Sequence, residues 1–102
     1  MQIHFFDDKI EEFISSLESL TIAKVLRSLD LLELFGNKLG MPHSKPLKAG
    51  LFELRIRGVQ EIRIIYTFHD GVIFLLNGFV KKTQKTPEKE LKIAQRKKSE
   101  LT

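Results

Sequence analysis

Three apolar runs in the second half of the chain dominate its hydrophobic pattern. They cover residues 51–57, 61–68 and 72–82, with polar breaks at 58–60 and 69–71. In the first two runs apolar and polar residues alternate with a period of two, which is typical of half-buried strands. The third run is apolar on both faces, as a central strand can be. The runs therefore predict an antiparallel meander of three strands.

The first third of the chain shows helical spacing instead. Residues 2–6 favour a short strand because they contain isoleucine and aromatic side chains. Apolar residues then recur at helical spacing over 10–20 and again over 22–35. An aspartate before the first helix and Thr21 before the second are predicted caps, and Gly36 marks the end of the second. We expect a helical hairpin that covers one face of the sheet, with all of these apolar residues in the core.

Two further segments complete the pattern. Glycines and prolines in residues 39–50 predict a loop. Thr86 and Pro87 predict the start of a last helix, with a capping hydroxyl followed by proline at the first helical position. The apolar stripe of this helix, around Leu91 and Ala94, is narrow. It favours a helix that docks lightly, moves, or packs mainly against a partner.

These elements predict one small α+β domain over residues 1–102. The expected sheet is mainly a three-stranded meander plus the short N-terminal strand, with the helical hairpin on one face and a C-terminal helix. A chain of 102 residues has the size of a single domain and buries about two-thirds of its unfolded surface. It lacks cysteine, a run of ~18 apolar residues and the order of a secretory signal, so we expect a cytoplasmic protein.

The net charge of +4 is unevenly distributed. Residues 1–40 hold four Lys/Arg and seven acids, a net charge of −3, whereas residues 41–102 hold thirteen Lys/Arg and six acids, a net charge of +7. A basic second half indicates an anionic partner, and nucleic acid is the leading candidate. The alternative is a basic solvated surface with no partner.

The chain lacks the sequence motifs of most familiar catalytic sites. The three histidines are far apart in the sequence, and the chain has no phosphate-binding glycine loop and no nucleophile elbow. We therefore expect no metal ion or other cofactor. What remains is a set of cations on the predicted sheet, with a carboxylate, a phenol and an imidazole nearby: Lys48, Arg55, Arg63, Lys81 and Lys82, with Glu53, Tyr66 and His69.

Such cations suit RNA phosphates, because arginine binds phosphate bidentately and lysine acts as a mobile point charge. They also suit the charge that develops when a ribose 2′-OH attacks the adjacent phosphorus. Strand parity places Glu53, Arg55 and Arg63 on one face. Tyr66 shares parity with the core-facing residues, so a buried tyrosine is the alternative to an acid or base. For His69 the alternative to a proton-transfer role is that of a turn residue beside Asp70 and Gly71.

The order Lys48-x-x-Gly-Leu-Phe-Glu-Leu-Arg55, then Arg63-Ile-Ile-Tyr66, then the segment 77–87 resembles the HigB-like branch of the RelE/ParE toxin superfamily. This branch includes phage-derived relatives. The resemblance covers nearly the whole chain and implies a RelE-like fold. It implies a toxin of a type II toxin–antitoxin system: a metal-independent endoribonuclease that cuts mRNA on the translating 70S ribosome. The implied partner is a helix-turn-helix antitoxin (HigA-like), through which alone the toxin meets operator DNA.

The resemblance also implies residue roles. The five cations bind RNA phosphates or stabilise the transition state, and Glu53 orients the arginines or helps proton transfer. Other members carry a tyrosine or histidine near the C-terminus as acid or base. This chain has neither after His69, so Tyr66 and His69 are the candidates for proton transfer. Further expected RNA contacts are Lys45, Arg57, Lys85 and Arg96.

Two other functions fit the same scaffold. One is a ParE-like inhibitor that binds DNA gyrase, because a fold alone does not decide the function. The other is a small basic RNA-binding module without catalytic activity.

Overall fold

The computed structural model of the protein describes residues 1–101 and has an α+β fold. None of the helices within this range is both long and apolar enough to cross a bilayer. The elements in chain order are β1 (Gln2–Phe5), α1 (Asp8–Ser15), α2 (Ser19–Phe35), a 3₁₀ turn (Gly36–Lys38), β2 (Ser44–Pro46), β3 (Phe52–Ile56), β4 (Ile62–His69), β5 (Val72–Val80) and α3 (Glu88–Ser99).

Within the described residues the sheet has five strands, in the order β1-β5-β4-β3-β2. The predicted meander forms its centre, and β1 pairs with β5 in parallel. The prediction of a three-stranded meander with one added strand was wrong, because β2 lies within the predicted loop and pairs antiparallel with β3. This strand has only three residues and contains Pro46. It is too short to show alternation, and proline at a sheet edge costs no ladder hydrogen bond to a further strand.

A two-residue turn joins β4 to β5. Asp70 has φ +49 and Gly71 has φ +74, and consecutive positive φ values are those of the hairpin turn that matches strand twist. A β-bulge follows further along this hairpin. Ile65 pairs with Asn77 but Tyr66 pairs with Leu75, so β5 has one extra residue. Odd-numbered residues of β5 therefore face α1 and α2 before the bulge and the opposite side after it.

The helical hairpin covers one face of the sheet, as predicted. Gly78 permits this close approach, because a Cβ atom there would lie 2.8 Å from the Phe13 ring of α1. The buried apolar residues of this layer form one cluster: Ile10, Ile14, Val25, Leu32, Leu54, Ile56, Ile62, Ile64, Tyr66, Ile73 and Leu75.

Parts of the helix predictions were wrong. Leu20, Leu26 and Phe35 are 74%, 52% and 48% exposed. Leu20 leaves the predicted stripe because α1 ends at Ser15 and α2 begins at Ser19. Thr21 does not cap α2; it is buried inside the helix, and its hydroxyl donates to a carboxylate oxygen of Glu18 at 3.2 Å. Asp7 does cap α1, since its carboxylate accepts from the Lys9 N–H at 3.1 Å.

The second face of the sheet is covered by α3, which docks more firmly than its narrow stripe suggested. Leu91 and Ala94 pack on residues of β4 and β5. Lys97 adds a buried polar anchor: its ammonium donates to the Leu76 carbonyl at 2.7 Å and lies 3.0 Å from an Asp7 carboxylate oxygen. The Leu76 residue is the extra one of the bulge, so this hydrogen bond ties α3 to the irregular part of β5.

The Lys97 anchor can be tested by substitution. Lys97→Met keeps an apolar stem but leaves the buried Leu76 carbonyl and the Asp7 carboxylate without their donor. We expect the free energy of unfolding, measured by urea denaturation, to fall by about 2 kcal/mol. Lys92→Met removes an exposed charge from the same helix and should change it by less than about 0.5 kcal/mol. Equal effects of the two substitutions would contradict the anchor.

The same ion pair predicts a pH dependence. Burial alone raises the pKa of Asp7, but the hydrogen bond and charge of Lys97 and the nearby N–H groups outweigh it, so the net pKa is lowered. A lowered carboxyl pKa stabilises the fold above the unfolded value of about 4, and this contribution is lost as pH falls through the folded value. The stability gap between wild type and Lys97→Met should therefore narrow in urea titrations carried out below about pH 4.

Candidate functional site

Two arginines face each other across neighbouring strands. Arg55 of β3 pairs in register with Arg63 of β4, on the face of the sheet opposite the helical hairpin. Arg63 is 2% exposed and Arg55 is 15% exposed at the side chain. Like charges directly opposite each other destabilise a sheet. This pair therefore needs a compensating group.

Glu53 provides the compensating charge. It is 2% exposed, and one of its carboxylate oxygens lies 3.7 Å from Arg55 Nε and 3.5 Å from Arg63 Nε. The other oxygen accepts a hydrogen bond from the Thr86 hydroxyl. Both oxygens thus have partners, and the carboxylate orients the two guanidinium groups.

Arg63 has further partners that fix its plane. One terminal nitrogen lies 3.0 Å from a Glu61 carboxylate oxygen, and the other donates to the Ile62 carbonyl at 3.2 Å. The Nε groups of Arg55 and Arg63 are buried and make no hydrogen bond within the described residues, although both lie within ion-pair distance of Glu53. Charge attraction, not directed bonding, holds these three side chains together.

The role of Thr86 differs from the sequence prediction. The last helix begins at Glu88 after Pro87, and Thr86 makes no cap. Its hydroxyl instead reaches Glu53, 33 positions earlier in the chain. This hydrogen bond ties the loop 81–87 to the arginine pair. No local pattern distinguishes such a threonine from a helix cap, and the sequence analysis missed this partner of Glu53.

The loop 81–87 and the ends of β3 and β4 enclose an open cleft of about 510 Å³. Together with Glu53, its charged residues comprise five cations and two carboxylates, a net charge of +3. The cleft is therefore an anion-binding surface with the arginine pair at its base. Its lining residues are Arg55, Arg57, Glu61, Arg63, Lys81, Lys82, Thr83 and Gln84.

The surroundings of Lys81 in this cleft change the pKa of its ammonium group. Its backbone N–H donates to the Glu61 carbonyl at 2.7 Å, which fixes the start of the loop. Burial and the neighbouring positive charge of Arg63 lower the pKa of Lys81, although Glu53 and Glu61 oppose the shift. A lysine with a lowered pKa gives up its proton more readily than a free lysine.

The structure separates the two proton-transfer candidates from this cleft. Tyr66 lies in the core on the opposite face, its hydroxyl hydrogen-bonded to that of Ser44, and burial raises its pKa despite that bond. His69 lies six residues along β4 from Arg63, roughly 20 Å away at the spacing of a strand. Its imidazole is 3.3 Å from the Asp70 carboxylate. Neither side chain is placed to act on a ligand at the arginine pair.

The other predicted RNA contacts are scattered. Lys45 is exposed on β2, in register with Glu53. Lys48 is exposed in the turn before β3, at the end of that strand remote from the cleft. Lys85 is exposed in the loop. Arg96 lies on α3 and lines a separate groove. Within residues 1–101, no group of three His, Asp or Glu residues is arranged to hold a metal ion.

A family model described as Phage derived protein Gp49-like (DUF891) matches residues 12–99, which is more than half of the chain. The match includes Glu53, Arg55, Arg63, Lys81 and Thr86. The family is associated with the toxins of toxin–antitoxin systems. No curated protein matches the chain.

The position of the Glu53 carboxylate between the two arginines predicts how its removal affects stability. Glu53→Gln removes the charge between two opposed guanidinium groups, so the free energy of unfolding in urea should fall by about 3 kcal/mol. Glu61→Gln is the matched control, because Glu61 also pairs with Arg63 but is 41% exposed at the side chain. Its loss should be about 1 kcal/mol or less. A Glu53→Gln protein as stable as Glu61→Gln would show that the central carboxylate does not hold the cluster.

The lowered pKa of Lys81 makes a second prediction. Only the neutral amine is acylated, so the pH midpoint for acylation of Lys81, followed by peptide mass spectrometry, should lie below the ordinary value of about 10.4. Glu61→Gln should move this midpoint further down, because the Glu61 charge raises the pKa. A midpoint at or above the ordinary value would contradict the surroundings described for this lysine.

Proposed function

The chain belongs to the family of phage-derived Gp49-like proteins, and we propose that it is the toxin of a type II toxin–antitoxin system that cuts mRNA on the translating ribosome. The observation that carries the proposal is the buried Arg55–Glu53–Arg63 cluster at the base of a cleft lined by Lys81 and Lys82. A sheet that served only stability would gain more from apolar residues at these positions. The resemblance to HigB-like toxins supports the same assignment.

The proposed reaction is an attack by a ribose 2′-OH on the adjacent phosphorus. The 2′-oxygen–phosphorus bond forms and the bond from phosphorus to the 5′-oxygen breaks, which leaves a 2′,3′-cyclic phosphate and a free 5′-OH. The phosphorane between these states carries extra negative charge. Arg55, Arg63 and Lys82 stabilise it, and because Glu53 already orients the arginines, little reorganisation is needed as the charge develops.

Proton transfer is assigned to Lys81. Its ammonium group delivers a proton to the departing 5′-oxygen, a role that its lowered pKa favours. The proton of the 2′-OH passes to solvent water in the open cleft. Glu53 is a positioning residue in this scheme, since both of its carboxylate oxygens have partners.

The proposal includes a partner and a cellular site. The HigB-like resemblance points to a helix-turn-helix antitoxin of the HigA type, through which the toxin meets operator DNA. A cleft of net positive charge suits an acidic segment of such an antitoxin. The substrate assigns the protein to the cytoplasm, where mRNA is translated on 70S ribosomes.

The decisive variants are at Lys81, because Arg63 is buried and its removal would also unfold the sheet. Lys81→Ala should lower the rate of mRNA cleavage on purified ribosomes by about 100-fold to 10,000-fold. Lys81→Arg keeps the positive charge but cannot release a proton, so it should bind RNA normally and cleave about as poorly as Lys81→Ala. Lys92→Ala, on the exposed side of α3, is the control and should cleave at the wild-type rate.

Three outcomes would each overturn a part of the proposal or the whole of it. Unchanged cleavage by Lys81→Ala would remove Lys81 from the reaction. Growth arrest with DNA breaks and intact mRNA would identify an inhibitor of DNA gyrase. RNA binding without cleavage on ribosomes would identify a non-catalytic RNA-binding module.

A further inference from the structure

A second groove adjoins the basic cleft. It lies between α2 and the end of β3, and its lining includes Lys24 and Arg27 of the helix. The two grooves share Arg55 and Arg57. This continuity is possible because β2 pairs with Phe52–Leu54 and the Arg55 N–H still donates to the His43 carbonyl, so that the end of β3 beyond Arg55 lies at the sheet edge. The basic surface therefore continues from the cleft, around the end of β3, onto α2.

The cations of the second groove are available to a ligand. Lys24, Arg27 and Arg57 are exposed. In the described part of the chain neither Lys24 nor Arg27 pairs with a carboxylate. The ammonium of Lys24 is held over the end of β3 by a hydrogen bond of 3.4 Å to the Arg57 carbonyl. Among residues 1–101, no acidic side chain lines this groove.

Apart from Ser28, the remaining lining is apolar or aromatic. Leu31, Pro42 and Ile56 contribute apolar surface, and the His43 ring lies beside them. The segment that carries His43 is fixed, because its carbonyl accepts from the Arg55 N–H at 2.8 Å. Cations beside flat apolar and aromatic surface are the features with which proteins bind single-stranded nucleic acid: the cations contact phosphates, and the apolar surface contacts base faces.

We propose that this groove binds the stretch of single-stranded RNA adjoining the phosphate held in the cleft, with Lys24 and Arg27 as phosphate contacts. The inference rests on the proposed function, because it extends the RNA path of the same site. It also assigns a binding role to α2, which lies in the acidic half of the chain and reads as scaffold in the sequence.

The test measures the salt dependence of RNA binding. The probe is a 2′-O-methyl RNA of about 12 nucleotides, which lacks the attacking hydroxyl and is long enough to span both grooves. Lys24→Gln with Arg27→Gln removes two phosphate contacts, so the slope of log affinity against log salt should become shallower by about 1.4. The control Lys89→Gln with Lys92→Gln changes the net charge equally on exposed positions of α3 and should keep the wild-type slope.

A second double substitution, which keeps both positive charges, distinguishes a loss of phosphate contacts from a loss of structure. Lys24→Arg with Arg27→Lys should retain the wild-type slope, whereas a structural role for either stem would alter it. An unchanged slope in the Lys24→Gln, Arg27→Gln protein overturns the proposal. So does a protein in which this double substitution abolishes binding of polyglutamate but spares RNA, because the groove would then be a site for an acidic peptide.

The results also separate this inference from the function on which it rests. If the wild-type protein cleaves mRNA on ribosomes but the Lys24→Gln, Arg27→Gln substitutions leave the slope unchanged, the RNA-binding role of the second groove is rejected and the proposed function stands. If the double substitution changes the slope as expected but the wild-type protein cleaves no mRNA, RNA binding along both grooves is supported and the cleavage reaction is rejected.

Discussion

The opposition of two guanidinium groups across β3 and β4 is the constraint on which the basic end of this protein depends. Like charges directly opposite each other in a sheet are destabilising. One carboxylate oxygen of Glu53 lies 3.7 Å from Arg55 Nε and 3.5 Å from Arg63 Nε, so a single negative charge attracts both guanidinium groups. The carboxylate therefore turns an unfavourable pair into a fixed, net positive site.

The remaining parts of the site depend on that carboxylate. Thr86 binds its second oxygen, which holds the loop 81–87 against the sheet and brings Lys81 and Lys82 beside the arginines. Glu61 adds a second acid at the rim, where solvent weakens its effect. Glu53 and Arg63 are thus buried, whereas Arg55, Lys81 and Lys82 are half-buried or exposed, and cations on the solvent side suit an approaching polyanion.

Strand parity was enough to place Glu53, Arg55 and Arg63 on one face, because side chains in a strand alternate with a strict period of two. It was not enough to show that Arg63 is buried, since burial depends on the loop 81–87 that folds across it. The local context of Thr86, directly before Pro87, predicts a helix cap. Its actual partner is 33 positions away, and local sequence carries no information about such a contact.

Short and irregular elements are not predictable from this sequence for related reasons. β2 has three residues, fewer than a periodic pattern needs. Lys97 stands between Arg96 and Lys98, and nothing in composition separates the buried lysine from its exposed or half-buried neighbours. That side chain adds a buried hydrogen bond and an ion pair to the packing of Leu91 and Ala94 on the sheet. The apolar stripe alone therefore underestimated the contact between α3 and the sheet.

The bulge in β5 has a consequence for how the chain folds. Without the extra residue, β4 and β5 would pair regularly from the turn to the end of the hairpin. The side chains of the last residues of β5 would then point to the opposite face of the sheet. Lys81 would then point towards the helical hairpin, and Phe13 would meet a side chain where it now meets Gly78. Neither helical layer could pack on such a ribbon. Packing of α1 and α3 thus selects the bulged register over the regular one.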